Sequence, residues 1–145
     1  MILLDTNVIS EAMRRSPERQ VIDWIDAQPL ETLYLSSITV AELRAGVALL
    51  PSGKRRAALQ EGLERQILPL FAGRVLPFDL PCTHAYADLL AKARKLGRGI
   101  HTADALVAAV ASANAFSVAT RDVLPFRGLG LSVINPWESY SFPTG

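Results

Sequence analysis

The sequence predicts a three-layer α/β/α fold built on a central parallel sheet, and three observations predict it. Short apolar runs alternate along the chain with longer helical patterns, as parallel strands joined by crossover helices require. The first run, Ile2, Leu3 and Leu4, has no polar alternation, so it reads as a strand covered on both faces. The segment 102–114 is crowded with alanines, which lets a helix lie close against a sheet.

Each element follows in order. Residues 2–4 form a buried strand that stops at Asp5. Helical patterns run over 8–13 and 17–27, with Pro17 suited to a first turn. Residues 33–37, "LYLSS", are a second strand, and 39–50 a helix closed by Pro51 and Gly53. A long amphipathic helix is expected over 54–70, its apolar face carrying Leu59, Leu63, Ile67 and Leu70. Residues 74–78 read as a strand whose Pro77 marks an edge or an end. Helices over 83–96 and 102–114 are split by Gly97 and Gly99. Strands at 116–120 and 131–134 complete the sheet, and 135–145, with Pro136, Pro143 and Gly145, is an irregular tail. No internal repeat or linker divides the 145 residues, so one domain over 1–145 is expected.

Composition narrows the function. The chain is 50% hydrophobic and 20% charged with a formal net charge of +1, so overall basicity does not advertise a polyanion partner. One cysteine, Cys82, excludes an internal disulfide, and two histidines, His84 and His101, are too few soft ligands for a tetrahedral zinc site. The opening apolar run lacks the basic flank of a signal peptide. No stretch reaches the roughly 20 apolar residues of a membrane span. A cytoplasmic protein with no membrane association is expected.

Four carboxylates stand out by position. Asp5 ends the first strand, where it could cap the next helix. Glu42 lies three residues after Thr39, the spacing of a capping box. Asp104 falls in a first turn after Thr102, where negative charge suits the helix dipole. Asp122 follows "FSVATR" and could open a turn. Singly, each favours a structural role. Together they point elsewhere, because ligands of an open parallel sheet bind at the carboxyl ends of its strands. Asp5 and Asp122 fall at that edge, and Glu42 and Asp104 are expected in first turns of helices that begin near it. Two carboxylates ~4 Å apart repel by about 4 kcal/mol at an effective dielectric near 20. Such a cluster requires cations, and an all-oxygen set selects Mg²⁺ or Mn²⁺, ions suited to phosphodiester hydrolysis.

The stretches "MILLDTNVISE", "SSITVAELRAG", "HTADALVAA" and "SVATRD" resemble, in order and spacing, the acidic motifs of PIN-domain ribonucleases. The resemblance is strongest to VapC-type toxins of bacterial type II toxin–antitoxin systems, the FitB-like subgroup in particular. "ILPLFAGRVLPFD" and "INPW" extend it to about residue 138. It implies a PIN-like fold and metal-dependent cleavage of RNA, with hydroxide attack on phosphorus leaving 5′-phosphate and 3′-hydroxyl ends. By position it implies that Asp5, Glu42, Asp104 and Asp122 bind Mg²⁺ or Mn²⁺, and that Asn7 and Thr120 support the metal site or its water. It also implies a small VapB/FitA-like antitoxin as partner, a homodimer that becomes a heterotetramer or larger with the antitoxin, and DNA met only through the antitoxin.

Arg121 could neutralise charge or approach phosphate, with pairing to a nearby acid the simpler reading. Arg14 and Arg15 follow the helix that starts beside Asp5 and are the first candidates for RNA phosphate contacts. His101 is read as an ordinary polar contact, Cys82 as buried and inert, Trp24 as core, and Trp137 as a pin for the tail. Three rival readings compete with this one. An aspartyl phosphotransferase fits poorly, since no lysine follows Lys95. A non-catalytic binding module would use the acids only as caps, and a housekeeping RNA-processing nuclease would share the same site.

Overall fold

In the computed structural model, which describes residues 1–138, the strands are β1 (Ile2–Leu4), β2 (Leu33–Ser36), β3 (Val75–Leu76), β4 (Ser117–Ala119) and β5 (Val133–Ile134). They form one sheet in the order β3-β2-β1-β4-β5, and every pairing is parallel. The central strand is therefore the first one made. The connecting helices are α1 (Thr6–Ala12), α2 (Arg19–Ala27), α3 (Ser37–Ala48), α4 (Lys54–Glu61), α5 (Leu80–Lys95) and α6 (Thr102–Asn114).

Alternate strand residues feed opposite faces, as strand geometry dictates. Leu3 and Val118 pack under α5 and α6 with Phe126, while Leu4, Ala119, Leu33 and Leu35 pack under α1, α2 and α3. Three layers result. In α6, Ala105 and the run from Val107 to Ala111 are buried, so small side chains bring its axis close to the sheet.

Local chemistry moves several boundaries. α1 begins at Thr6, two residues before the expected start, because Asp5 supplies the cap. α2 begins at Arg19, after Pro17. α3 begins at Ser37 because Ser36, not Thr39, is its cap: the Ser36 hydroxyl accepts from the Thr39 amide at 3.1 Å. The helix expected over 54–70 is three pieces. α4 gives way at Gly62 to a π-helical stretch, Gly62–Ile67, and then to a 3₁₀ turn, Leu68–Phe71. Glycine is a weak helix former, and Pro69 has no N–H to continue the α ladder. α5 begins earlier than expected, at Leu80, with Pro81 in its first turn. It ends before Gly97, whose φ of 69° favours a residue without a Cβ. β3 is shorter than expected and lies at the sheet edge before Pro77. The last two strands are also shorter than read.

Residues 136–138 are turn and bend; the rest of the expected irregular tail, 139–145, lies outside the described residues. Cys82 is buried, and burial raises its thiol pKa, helped by Asp79, whose Oδ1 accepts from the sulfur at 3.0 Å. Trp24 and Trp137 pack partly buried against the core on the α1–α3 face. No helix among the described residues is long and apolar enough to cross a membrane.

Phe126 is fully buried, so Phe126→Ala is expected to cost about 3–5 kcal/mol of stability. Leu49 is 85% exposed, and Leu49→Ala is expected to change stability by less than about 0.5 kcal/mol. Urea unfolding of the two variants checks the contrast.

Candidate active site

Asp5 sits at the carboxyl end of β1, where its backbone N–H donates to Ala119 O of β4 at 2.9 Å. Its side chain is 6% exposed. Oδ1 accepts from the Thr6 amide at 2.8 Å, and Oδ2 accepts from the Thr120 hydroxyl at 2.9 Å. Thr120 Oγ1 in turn accepts from Asn7 Nδ2 and from the Asp122 amide, both at 3.2 Å. The Asn7 carbonyl oxygen accepts from the Arg121 amide at 3.2 Å. The ends of β1 and β4 are thus laced together by Asn7 and Thr120, whose polarity is satisfied in holding Asp5 and the 120–122 segment still.

Glu42 reaches the same edge from α3. Its Oε1 accepts from the Thr6 hydroxyl at 2.7 Å. The expectation of a first-turn position fails, because α3 starts at Ser37 and Glu42 falls in its second turn. That position also removes the capping box, since the cap amide bond belongs to Ser36. Asp104 does lie in the first turn of α6. The cap there is His101 rather than Thr102, and it makes no side-chain capping bond. Asp122 is exposed, just beyond β4.

The electrostatics show that these acids feel one another. Burial raises the Asp5 pKa above its usual range, opposed by the bonds from Thr6 and Thr120, and the charges of Asp104 and Glu42 push it further up. Burial also raises Asp104, with Asp122 and Glu42 adding to the rise and His101 opposing it. Among the described residues no arginine or lysine forms an ion pair with Asp5, Glu42, Asp104 or Asp122. Other acids are paired: Glu11 with Arg14, Asp23 with Arg19, Glu61 with Arg65, and Glu64 with Arg44. The edge therefore carries negative charge that the protein does not itself neutralise. Among the described residues no three His, Cys, Asp or Glu side chains close into a ready-made ion cage. The edge is an open acidic rim.

The neighbouring residues divide. Arg14 is held at 3.1 Å by the buried Glu11, whose other oxygen accepts from the Glu18 amide at 3.2 Å. Burial works against the Glu11 charge, but Arg14, the Glu18 amide and the charge of Arg121 together keep its pKa below the usual range. Arg15 is exposed. Arg14 and Arg15 line a groove of about 1150 Å³ together with Lys54 and Arg55, and Glu42 lines it too. Among the described residues Arg121 does not pair with an acid as expected; its guanidinium carbon lies 5.3 Å from the Trp137 ring centroid. Sequence reasoning passed over Glu11 and Asn135. The available signal for Glu11 was an acid three residues after Val8, on the face of α1 that is otherwise apolar.

A doubly covered parallel sheet with unneutralised acids at its carboxyl edge defines a class, the α/β proteins whose chemistry is carried by strand-end carboxylates. The match to a known family is specific. The PIN domain family covers residues 2–126. Over 96% of its length the chain is 66% identical to the plasmid stability protein StbB of Pseudomonas syringae pv. tomato, covering all of it. It is 59% identical to the VapC ribonuclease Y4jK of Sinorhizobium fredii, covering 95% of this chain and 99% of the relative. It is 53% identical to the toxin FitB of Neisseria gonorrhoeae over the same shares. Among solved structures, FitAcB of Neisseria gonorrhoeae superposes with a TM-score of 0.91 at 52% identity, over 96% of this chain and 100% of that one. FitAB bound to a DNA fragment superposes with a TM-score of 0.93 at 50% identity, over 97% and 98%. The chain belongs to the PIN domain family, in the branch of its VapC and FitB relatives.

A raised carboxyl pKa means that the native state holds its proton more tightly than the unfolded chain does. The stability this contributes is present at low pH and lost as pH rises from the ordinary carboxylate range through the folded pKa. In chelator, Asp104→Asn is therefore expected to melt higher than the wild type at pH 7, by on the order of a few degrees. The gap is expected to shrink at pH 4. Calorimetry at the two pH values checks both signs.

Proposed function

We propose that this chain is a divalent-metal-dependent endoribonuclease, the toxin of a type II toxin–antitoxin pair, which hydrolyses RNA phosphodiesters with water. The observation that carries the reading is that four acids, from the ends of β1 and β4 and from α3 and α6, lie toward one edge and, among the described residues, no arginine or lysine is paired with them. The high identity to a relative named as a VapC ribonuclease and to one named as toxin FitB supports it.

The donor set suits the ion. All candidate ligands are oxygens, which favour hard cations over zinc. Mg²⁺ keeps several of its waters and takes one or two carboxylates together with substrate phosphate, rather than an all-protein cage. An open acidic rim matches that habit. Asp5, Glu42, Asp104 and Asp122 would hold Mg²⁺ or Mn²⁺, which supplies acidified water and neutralises phosphate oxygens. Asp5 is the fixed member, because Thr6 and Thr120 orient both of its oxygens. Thr6 bonds to Glu42 and so ties the second acid to the first. Asn7 and Thr120 orient the rim and hold the 120–122 segment. Arg14 and Arg15 line a groove that reaches the rim and would meet RNA phosphates there.

The remaining assignments rest on the relatives. A small VapB/FitA-like antitoxin as partner, a homodimer that assembles into a heterotetramer or larger with it, and DNA contact through the antitoxin alone are in keeping with the solved FitAB complex on DNA. A cytoplasmic site of action is in keeping with an RNA substrate.

The test is cleavage of RNA by the purified chain with Mg²⁺ or with chelator. Cleavage is expected only with the ion, leaving 5′-phosphate ends. Asp5→Asn is expected to lower the rate by more than about a hundredfold, beyond the ~10–100-fold loss that follows removal of an outer-shell partner. Thr120→Val, which removes the bond to Asp5 Oδ2, is expected to fall within that ~10–100-fold range. Both variants should retain the far-UV circular dichroism of the wild type. Metal-independent cutting, or an Asp5→Asn variant at full rate, would refute the assignment.

A further inference from the structure

Trp137 occupies a place that does not suit its own polarity. Its indole N–H is the one buried side-chain nitrogen or oxygen that finds no hydrogen-bond partner among the described residues. An unpaired buried donor is destabilising, and phenylalanine would avoid the cost. What tryptophan offers over phenylalanine is the stronger cation-attracting ring face. Arg121 uses that face, with its guanidinium carbon 5.3 Å from the ring centroid.

The pair is built by a short turn after β5. The Asn135 side chain accepts from the Trp137 amide at 2.9 Å and reaches the Arg121 carbonyl with its Nδ2 at 3.5 Å. The preceding residues are on the same ladder, since the Thr120 amide donates to Ile134 O at 2.9 Å. The Arg121 amide is spent on Asn7. Arg121 is thus gripped at its N–H, its carbonyl and the face of its side chain. Its guanidinium nevertheless makes no ion pair or hydrogen bond among the described residues, whereas Arg14 is bound to Glu11. Stacking occupies the flat face of a guanidinium and leaves its in-plane donors, the ones that match phosphate oxygens, available. The Arg121 charge is also felt at Glu11, which puts it on the Arg14 side of the rim.

We propose that Trp137, seated by Asn135, is a positioning residue that holds the Arg121 guanidinium beside the acidic rim to bind an RNA phosphodiester. The proposal rests on the nuclease reading above. It commits Arg121 to substrate and Trp137 to Arg121.

The test is steady-state cleavage of an RNA oligonucleotide with Mg²⁺ at several salt concentrations, with melting temperatures measured in parallel. Arg121→Ala is expected to raise KM about tenfold with little change in kcat, as loss of one charge-assisted contact does. It should also flatten the dependence of log kcat/KM on log salt by about 0.7, one single-strand phosphate contact. Trp137→Ala should reproduce both effects, and the double variant should add nothing further. Trp137→Phe, which keeps a ring face, should stay within about threefold of the wild-type KM. A Trp137→Ala variant that melts lower but keeps the wild-type KM and salt slope overturns the proposal, as does an unchanged Arg121→Ala variant. If Trp137→Ala does not fold, Trp137→Leu, which keeps apolar bulk without a ring face, takes its place, and a wild-type KM and salt slope in that variant overturn the proposal. A wild-type chain that cuts no RNA overturns the nuclease reading first and this proposal with it.

Discussion

The Asp5 carboxylate is held in a place where its charge is poorly tolerated, and the surrounding structure keeps it there. Its backbone is fastened to β4 through Ala119, its two oxygens are engaged by Thr6 and Thr120, and it is almost wholly buried. Moving Asp5 away would break the pairing of the central strand. The strain of its burial is therefore borne by the whole sheet, and this is the usual condition under which an unfavourable local arrangement persists in a native protein.

Parallel pairing turns this single placement into a site. With β2, β1 and β4 side by side and all pointing one way, the strand ends and the helix starts that follow or precede them meet at one edge. Asp5 comes from the first strand, Glu42 from the helix after the second, Asp104 from the helix before the fourth, and Asp122 from just beyond that strand. Their repulsion works against folding, whereas the two apolar layers on either face of the sheet favour it. That cost at one edge is consistent with the proposed role of the acids in holding a cation.

Much of this was legible in the residues. The unbroken apolar run before Asp5, the alanine-crowded segment that became α6, and the alternation of short and long patterns predicted the layers, because side-chain periodicity reflects burial directly. Asp5 stood out because a carboxylate at the end of an apolar run is out of place in a core, whereas Glu42, Asp104 and Asp122 stood out only through their expected positions at the same sheet edge. Capping was read less well. Thr39 and Thr102 have the right chemistry for caps, yet Ser36 and His101 hold those positions, since a cap is defined by where the backbone leaves the helix and that is set by how β2 and α6 pack. The break at Gly62 and Pro69 was visible as residues, but the apolar spacing from Leu59 to Leu70 hid it; beyond the π-helical stretch Leu70 turns outward and Phe71 takes the buried position instead. Glu11 and Asn135 were missed for a different reason: each matters through a partner distant in the chain or through a turn that only the fold creates.

Taken alone, the amino-acid order determined the fold class, the direction of the strands and which acids could share an edge, because these follow from local patterning and from the geometry of parallel connections. The tertiary structure decided which side chains hold which. It is the packing of β1 against β4 that brings Thr120 to Asp5, the return of the chain after β5 that lays Trp137 beneath Arg121, and the burial of Glu11 that claims Arg14. Such pairings depend on distances of a few ångströms between residues far apart in the chain, and no periodicity along a sequence encodes them.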